Sequence, residues 1–340
     1  MEQGILNLET LWFVLIAVLW TGFFFLEGFD FGVGILLPFI GKDDEDRRVM
    51  INTIGPTWDG NEVWLLTAGG AMFAAFPEWY ASMFSGFYLA LFLILVALIV
   101  RGVAFEYRSK NPSSEWRSMW DWAIFIGSLV PALLFGVAFG NLVRGVQIDA
   151  AGEYVGGFWA LLNPYSLVMG IASVVLFTLH GSLFLSLKAK GDVYDRAVEA
   201  AKPLSIAATV VMAIAMIWSY VQADSGVVPG LLPLAAIALL GVVIWLTYSK
   251  MFSWAFVFTG LTIVTAVAAI FIGMYPNVMT STIDPTYSLT VFNASSTTMT
   301  LQIMSVVALI FVPIVLVYQS WSYWVFRKRV GREDVTTPTH

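Results

Sequence analysis

The chain of 340 residues is 59% hydrophobic and 12% charged, about half the charged fraction of an average soluble domain, and its mean hydropathy is +0.81. The absence of cysteine excludes disulfides, thiolate zinc sites and iron–sulfur clusters, and the net charge of −6 argues against nucleic acid as a partner. This composition predicts an all-α polytopic membrane protein.

Nine apolar segments are long enough to cross a membrane as helices, which takes about 20 residues each. The first predicted span is unusually long, the second is short, and both contain carboxylates. Trp and Tyr lie at many of the ends, as is typical of side chains at the membrane–water interface. In chain order, we predict spans at Leu8–Ile40, Trp58–Phe76, Trp79–Val100, Trp120–Val143, Phe158–Leu187, Leu204–Val221, Val227–Tyr248, Met251–Tyr275 and Met299–Phe326.

The basic residues are distributed unevenly over the loops of this arrangement. All seventeen Lys and Arg residues except Arg101 and Arg144 follow spans 1, 3, 5, 7 or 9. Arg144 is in an opposite loop, and Arg101 lies at the predicted end of span 3. Because short cytoplasmic loops hold the excess of Lys and Arg, we predict that the N-terminus is outside and the C-terminus is in the cytoplasm.

A weak internal repeat relates the two halves of the chain. Leu26–Gly28 resembles Leu179–Gly181, and Trp122–Phe125 resembles Trp254–Val257, which pairs span 1 with span 5 and span 4 with span 8. Chance similarity between apolar segments is the alternative explanation. A repeat of four spans preserves orientation, so we predict two parallel four-helix bundles and one extra helix. The predicted boundaries are residues 1–150, 151–280 and, for the outer loop, ninth span and tail, 281–340.

Five ionisable side chains lie within the first three spans: Glu27, Asp30, Asp59, Glu62 and Arg101. Burying such groups in lipid is costly, so each is a candidate functional residue. The carboxylates are spaced i, i+3 in two pairs, which places each pair on one helix face, and all five groups are expected near the cytoplasmic boundary. Four carboxylates beside one arginine are not all ionised cheaply, so some are expected to hold protons, as a proton relay requires.

Structural roles are the alternative for some of these residues. Asp59 is at the start of a span, where Asp often caps a helix, and it is also a candidate for an ion pair with Arg101 that locks helices together. Glu62 is equally compatible with a structural role. His180 is the one histidine within the predicted spans, whereas a bis-His haem needs two, so we expect that this chain alone binds no haem and no metal.

The sequence resembles subunit II of the cytochrome bd-type quinol oxidases over nearly its whole length, and least around spans 6 and 7. Glu27 and Glu62 stand where other members have Asp and Gln. The segments that carry the resemblance are Glu27–Gly34, Arg47–Asn52, Pro56–Trp64, Phe84–Tyr88, Tyr107–Lys110, Met119–Trp122, Gly136–Asn141, Leu162–Pro164, Trp254–Phe258, Ser295–Leu301 and Val312–Tyr318.

The resemblance implies a complex in the bacterial plasma membrane that oxidises quinol on the outer side and reduces O2 to water. It implies that the partner, subunit I, carries the quinol site, two b haems and one d haem, whereas subunit II has nine helices, binds no haem and stabilises the haem assembly. It associates Asp30 and Asp59 with a cytoplasmic proton path and places Arg101 at a polar position at its inner end. A small single-helix subunit and a lipoquinone bound to this chain stay open.

A proton-coupled secondary transporter is the main alternative, because buried carboxylates also couple substrates to protons. Transporters, however, often use inverted repeats and broken helices at the membrane midplane, whereas the repeat here is parallel and the charges are off-centre. A purely structural membrane scaffold is the third possibility.

Overall fold

The computed structural model describes residues 7–222 and 231–336. Within these residues the chain forms helices and one short antiparallel ribbon, β1 (Asn277–Met279) and β2 (Leu289–Thr290). Two 3-10 turns lie at Arg108–Lys110 and Pro285–Tyr287. The α-helices are α1 (Leu8–Ile40), α2 (Asp44–Ile54), α3 (Trp58–Ala75), α4 (Pro77–Gly86), α5 (Tyr88–Tyr107), α6 (Ser114–Arg144), α7 (Gly157–Leu161), α8 (Pro164–Lys188), α9 (Gly191–Gln222), α10 (Leu231–Tyr248), α11 (Phe252–Met274), α12 (Thr298–Val325) and α13 (Arg332–Thr336).

Eight helices of the described residues are long and apolar enough to cross a membrane, namely α1, α5, α6, α8, α9, α10, α11 and α12. This confirms the prediction of an all-α polytopic membrane protein. The second predicted span forms α3, which has 18 residues and is about 27 Å long. Because α3 carries Asp59 and Glu62, it is less apolar than the others, and the total of nine spans stays a prediction.

The third predicted span, Trp79–Val100, is divided differently in the structure. Helix α4 ends at Gly86, and α5 begins at Tyr88 and continues to Tyr107. An added Cβ on Gly86 would overlap the Tyr154 side chain, so the loop after α6 packs on this break. Arg101 therefore lies inside α5, about two turns before its end, and not at the end of a span.

Other helix ends also differ from the sequence prediction, and polar N-caps determine where α2 and α8 begin. The polar segment after α1 forms α2, whose N-cap Asp43 accepts a hydrogen bond from the Asp46 backbone N–H at 2.9 Å. Helix α8 starts at Pro164, where Asn163 is the N-cap, and α9 starts at Gly191. Part of the seventh predicted span, residues 227–230, is outside the described residues.

Helix α1 is the centre of the packing. It contacts α3, α6, α8 and α11, while α5 packs on α6, α9 on α8, and α10 on both α9 and α11. Gly32 and Gly181 allow α1 and α8 to approach closely, because an added Cβ on either would overlap the other helix. Aromatic rings fill the space between α1 and α6: Trp20 and Phe24 lie 5.1 Å from Phe139, centroid to centroid.

Helix α12 packs weakly on the remainder of the described chain. Among its 28 residues, Leu301 is the buried one, and its contacts are with α1 and α3. Its large apolar side chains are therefore free to contact lipid or another subunit.

The segments that the sequence assigns to the cytoplasm lie together at one end of the molecule. Arg332 of α13 donates hydrogen bonds to Asp43 and Asp46 at 2.7 Å, and Arg196 of α9 also pairs with Asp46. The hydrogen bond from the Asp46 N–H, together with Arg332, lowers the pKa of Asp43. The C-terminal segment is thus held to α2 by charge-assisted bonds.

A second ion-pair cluster joins the same end of α2, α5 and α6. Arg108 donates to Asp121 at 2.5 Å and to Asp44 at 2.9 Å. Arg47 contacts Asp121 at 2.8 Å, and Arg117 contacts Asp44 at 2.7 Å. This cluster thus ties α2 to the facing ends of α5 and α6 through Arg47, Arg108 and Arg117.

Candidate functional site

The candidate site is built around Arg101, which is wholly buried between α1, α3 and α5. Its Nη2 atom donates to Glu27 in a short contact and to Glu62 Oε2 at 3.1 Å. The guanidinium group also lies 4.7 Å from the centre of the Phe31 ring. Because Arg101 of α5 pairs with Glu27 of α1 and Glu62 of α3, it joins three helices. Removing one member of such a buried pair leaves an uncompensated charge.

A glycine on the neighbouring helix α6, Gly127, explains why Arg101 fits here. An added Cβ on Gly127 of α6 would lie 2.7 Å from both the Ala97 carbonyl oxygen and the Arg101 Cβ. The bare backbone at Gly127 therefore allows α5 to approach α6 and keeps Arg101 directed towards α1.

Asp30 lies one turn after Glu27 on α1 and is also wholly buried. Its Oδ2 atom accepts a hydrogen bond from Asn61 Nδ2 of α3 at 2.7 Å. Asn61 Oδ1 in turn accepts from the Tyr323 hydroxyl of α12 at 2.7 Å, and from Gln319 Nε2 at a longer 3.4 Å. A single amide thus connects the buried carboxylate to α12.

Glu27 and Asp30 each have one carboxylate oxygen that accepts no hydrogen bond from a donor group of the described residues. Among the described residues, Glu27 Oε2, Asp30 Oδ1 and two Arg101 nitrogens, Nε and Nη1, have no partner. Buried polar atoms are nearly always paired, so their concentration in one place is unusual. An unpaired carboxylate oxygen can accept a proton without first breaking a hydrogen bond.

Asp59 has a different environment. It is exposed, and no hydrogen-bond or ion-pair partner for it is found within residues 7–222 and 231–336. It lines a groove of about 550 Å³ between α3 and α12, whose wall also contains Thr57, Asn61, Gln319 and Tyr323. The N-cap of α3 is Thr57, so the structure supports neither the cap nor the Asp59–Arg101 pair considered from the sequence.

The structure therefore brings together four of the five predicted residues, namely Glu27, Asp30, Glu62 and Arg101, and leaves Asp59 at the surface. The sequence prediction does not include Asn61, Gln319 and Tyr323, because it rests on carboxylates, arginine and histidine within the apolar segments. A signal was present for α12, since Gln319 and Tyr323 are spaced i, i+4 and interrupt an apolar span on one face. Trp64 Nε1 donates to Gln319 Oε1 at 2.9 Å and fixes that face against α3.

Comparison with known proteins assigns this chain to a family. The model of the family described as cytochrome bd terminal oxidase subunit II matches residues 8–326. This chain belongs to that family. Its members are subunits of a terminal oxidase, so the secondary-transporter alternative is not favoured.

Two relatives of the cytochrome bd subunit II family match over nearly their full lengths. Cytochrome bd ubiquinol oxidase subunit 2 of Bacillus subtilis (strain 168) is 44% identical over 336 residues, covering 97% of this chain and 99% of the relative. Cytochrome bd-I ubiquinol oxidase subunit 2 of Escherichia coli (strain K12) is 40% identical over 370 residues, covering 98% of each.

A solved structure shares the fold. A chain in the structure of bd oxidase from Geobacillus thermodenitrificans has a TM-score of 0.75 and 16% identity, covering 94% of this chain and 97% of that one. The agreement over such a length confirms the fold of a bd oxidase subunit.

The cytochrome bd family implies haem in the complex, so the fit of His180 to an axial ligand matters. Its Nδ1 lies 2.8 Å from Thr259 Oγ1, its Nε2 lies 3.2 Å from the Phe25 carbonyl oxygen, and its ring stacks on Phe256 at 4.4 Å. Both ring nitrogens are engaged with neighbouring helices, so His180 does not fit the role of a haem ligand. Within the described residues, no three His, Asp or Glu side chains form a group suited to a metal ion.

Proposed function

We propose that this chain is the subunit of a respiratory quinol oxidase that ligates no haem and that carries protons from the cytoplasm through its buried carboxylates. The relatives are named ubiquinol oxidase subunits, which supports quinol as the reductant and O2 as the acceptor. The partner subunit I then carries the quinol site, two b haems and one d haem. Quinol oxidation would release protons on the outer side and O2 reduction would consume protons from the cytoplasm, so the reaction would contribute to the proton gradient.

The observation that carries the proton-path proposal is the hydrogen-bonded chain from Asp30 through Asn61 to Tyr323. Asp30 is wholly buried, whereas Asn61 and Tyr323 also line the groove in which Asp59 is exposed. Asp59 is thus the entry group at the groove, and Asp30 is the first buried group behind it.

Beyond Asp30, the path continues along α1 to Glu27, one helical turn or about 5.4 Å away. Arg101 stabilises negative charge on Glu27 and Glu62, so one carboxylate can release a proton while the others stay neutral. The asparagine does not titrate, and its role is to hold the Asp30 carboxyl in place for transfer.

We further propose that the partner subunit covers the exposed apolar faces of α3 and α12. Leu66 of α3 is 72% exposed and Leu309 of α12 is 78% exposed, so both faces are available. Covering this side would enclose the groove and isolate Asp59 from lipid. A small single-helix subunit and a bound lipoquinone stay predictions from the family resemblance.

The arrangement of the chain in the membrane is part of the same proposal. The two bundles comprise residues 1–150 and 151–280, with 281–340 added, the N-terminus outside and the C-terminus in the cytoplasm. The clustering of Arg196 and Arg332 around α2 at one end supports this orientation.

The functional proposal is tested by purifying the complex from membranes through a tag on this chain. Quinol-driven O2 uptake together with red absorption from haem d in the same fraction is the expected result. The proposal would be contradicted if the chain purifies without a haem-bearing partner and if vesicles containing it show proton-coupled substrate counterflow.

A further inference from the structure

A partly open cavity, called the interior cavity below because most of its wall is buried, lies apart from the carboxylate site and is surrounded by α1, α6, α8, α9 and α11. Its volume is about 70 Å³. Buried apolar side chains form most of its wall, among them Phe24, Phe139, Met169, Leu176, Met212 and Val267. The cavity is therefore situated in the packed core, where the two halves of the chain meet.

The chemistry of the wall disfavours water. A water molecule needs about 10–15 Å³ of such space and two to four polar partners. The space is ample, but Ser173 is the one polar side chain among the described lining residues, and it already hydrogen-bonds the Ala132 and Gly170 carbonyl oxygens at 2.5 and 2.8 Å. Apolar cavities of this kind stay dry and take up small apolar molecules.

Size restricts the occupant further. Engineered apolar cavities of about 150 Å³ bind benzene or xenon, and this one is smaller. A quinone ring would also leave its carbonyl oxygens without donors in an apolar wall. Monatomic and diatomic gases fit both the volume and the polarity.

One side chain, Phe135, separates the cavity from a groove on the apolar surface of the protein. Phe135 of α6 forms part of the cavity wall and also part of a groove of about 470 Å³ between α3, α4 and α5. That groove is lined by exposed Phe73 and Tyr88, so it opens on the apolar surface. Apolar gases partition into hydrocarbon from water, so they are concentrated beside Phe135.

We propose that this interior cavity binds a small apolar gas molecule, and that the gas is dioxygen in the working complex. Dioxygen is the acceptor of the proposed reaction, so this second part rests on the proposed function. Gas binding itself depends only on the cavity and stands even if the reaction is a different one.

Crystals of the whole purified complex under xenon pressure test the site, because xenon scatters anomalously and binds dry apolar cavities. We expect an anomalous peak among Phe24, Met169 and Met212. Ala172 lines the cavity and is buried, so Ala172→Leu should abolish the peak. Ala238→Leu on the exposed face of α10 is the matched control and should leave the peak unchanged.

Met212→Ala supplies a second variant, since it enlarges the cavity and should strengthen the peak even if Ala172→Leu fails to assemble. No peak in the wild-type complex, an ordered water in the cavity, or a peak unaffected by either substitution would overturn the gas site. Adding dioxygen at equal pressure should weaken the xenon peak by competition. Unchanged xenon occupancy would overturn the assignment to dioxygen while leaving quinol-driven O2 uptake as a separate test of function.

Discussion

Replacing Arg101 should destabilise the complex more than any other single change at the candidate site. In Arg101→Met, the apolar stem keeps most of its volume, but Glu27 and Glu62 lose the cation they share. Removing one partner of a buried ion pair costs about 3–5 kcal/mol, because the other charge stays desolvated. Loss of the stacking on Phe31 adds about 1 kcal/mol.

Glu27→Gln should cost less, because Glu62 keeps Arg101 paired at 3.1 Å. The double variant Glu27→Gln with Arg101→Met should be more stable than Arg101→Met alone, since the wholly buried carboxylate is gone. Glu62 is the more accessible partner, with 23% of its side chain exposed, and tolerates the loss of Arg101 better. The two substitutions are therefore expected to be strongly non-additive, with a coupling energy of about 2–3 kcal/mol.

The assay is the free energy of unfolding of the purified complex by SDS titration, followed by haem absorption and by the far-ultraviolet signal of the helices. Arg144→Met is the matched control, because Arg144 is exposed at the opposite end of the molecule and should change the stability by less than about 0.5 kcal/mol. A coupling energy below about 0.6 kcal/mol, the average for interhelical hydrogen bonds in membranes, would refute the reasoning.

Three further predictions concern topology, haem and the C-terminal segment. With no native cysteine, Ser113→Cys should be labelled only from the cytoplasmic side and Thr298→Cys only from outside, and the reverse pattern would defeat the predicted orientation. His180→Ala should leave every haem band in place, at most with reduced yield, whereas selective loss of one band would make His180 a ligand. Because folding lowers the pKa of Asp43, its contribution to holding Arg332 is present above its unfolded value of about 3.9 and is lost as the pH falls further. The protection factor for hydrogen exchange of residues 331–336, which compares each rate with the intrinsic rate at the same pH, should therefore fall in acid, and a protection factor that does not depend on this carboxylate would contradict the contact.

The class of fold could be predicted from the sequence because hydropathy alone determines which segments enter lipid. The break at Gly86 could not, since it depends on the Tyr154 side chain from a loop nearly 70 residues later. The sequence does not predict helix α2 for a related reason. Its side chains are too polar for a span, and its stability comes from the Asp43 cap and from ion pairs with Arg332, which are distant in sequence.

The candidate site can likewise be predicted from the sequence only in part. The burial of Glu27 and Asp30 follows from their positions within an apolar segment, whereas Arg101 is buried because α5 continues beyond the predicted end of span 3 to Tyr107. The sequence spacing does not show which carboxylate pairs with Arg101, because Asp59 and Glu62 lie less than one turn apart on α3. Rotation of that helix directs Glu62 inward and Asp59 into the groove, and only the packing of α3 on α1 determines this rotation.

The proton path is the central claim, and the turnover of carboxamide variants measured against pH tests it most directly. Asp30→Asn and Asp59→Asn keep the size of each side chain but remove the titrating group. Tyr323→Phe removes the hydroxyl that fixes Asn61, so it should slow turnover without removing any carboxylate. Glu78→Gln, an exposed carboxylate before the break at Gly86, is the matched control and should behave as the wild type.

Quinol-driven O2 uptake per mole of haem is measured for each variant from acidic to alkaline pH. Positioned proton-transfer groups contribute roughly 10²–10⁴-fold, and we expect a smaller loss of about tenfold for Asp30→Asn because Glu27 and Glu62 remain. The deficit should grow as protons become scarcer at alkaline pH, while the haem spectra stay intact, and Asp59→Glu should recover part of the rate lost in Asp59→Asn. Normal turnover of both Asn variants at every pH would remove Asp30 and Asp59 from any obligatory proton path.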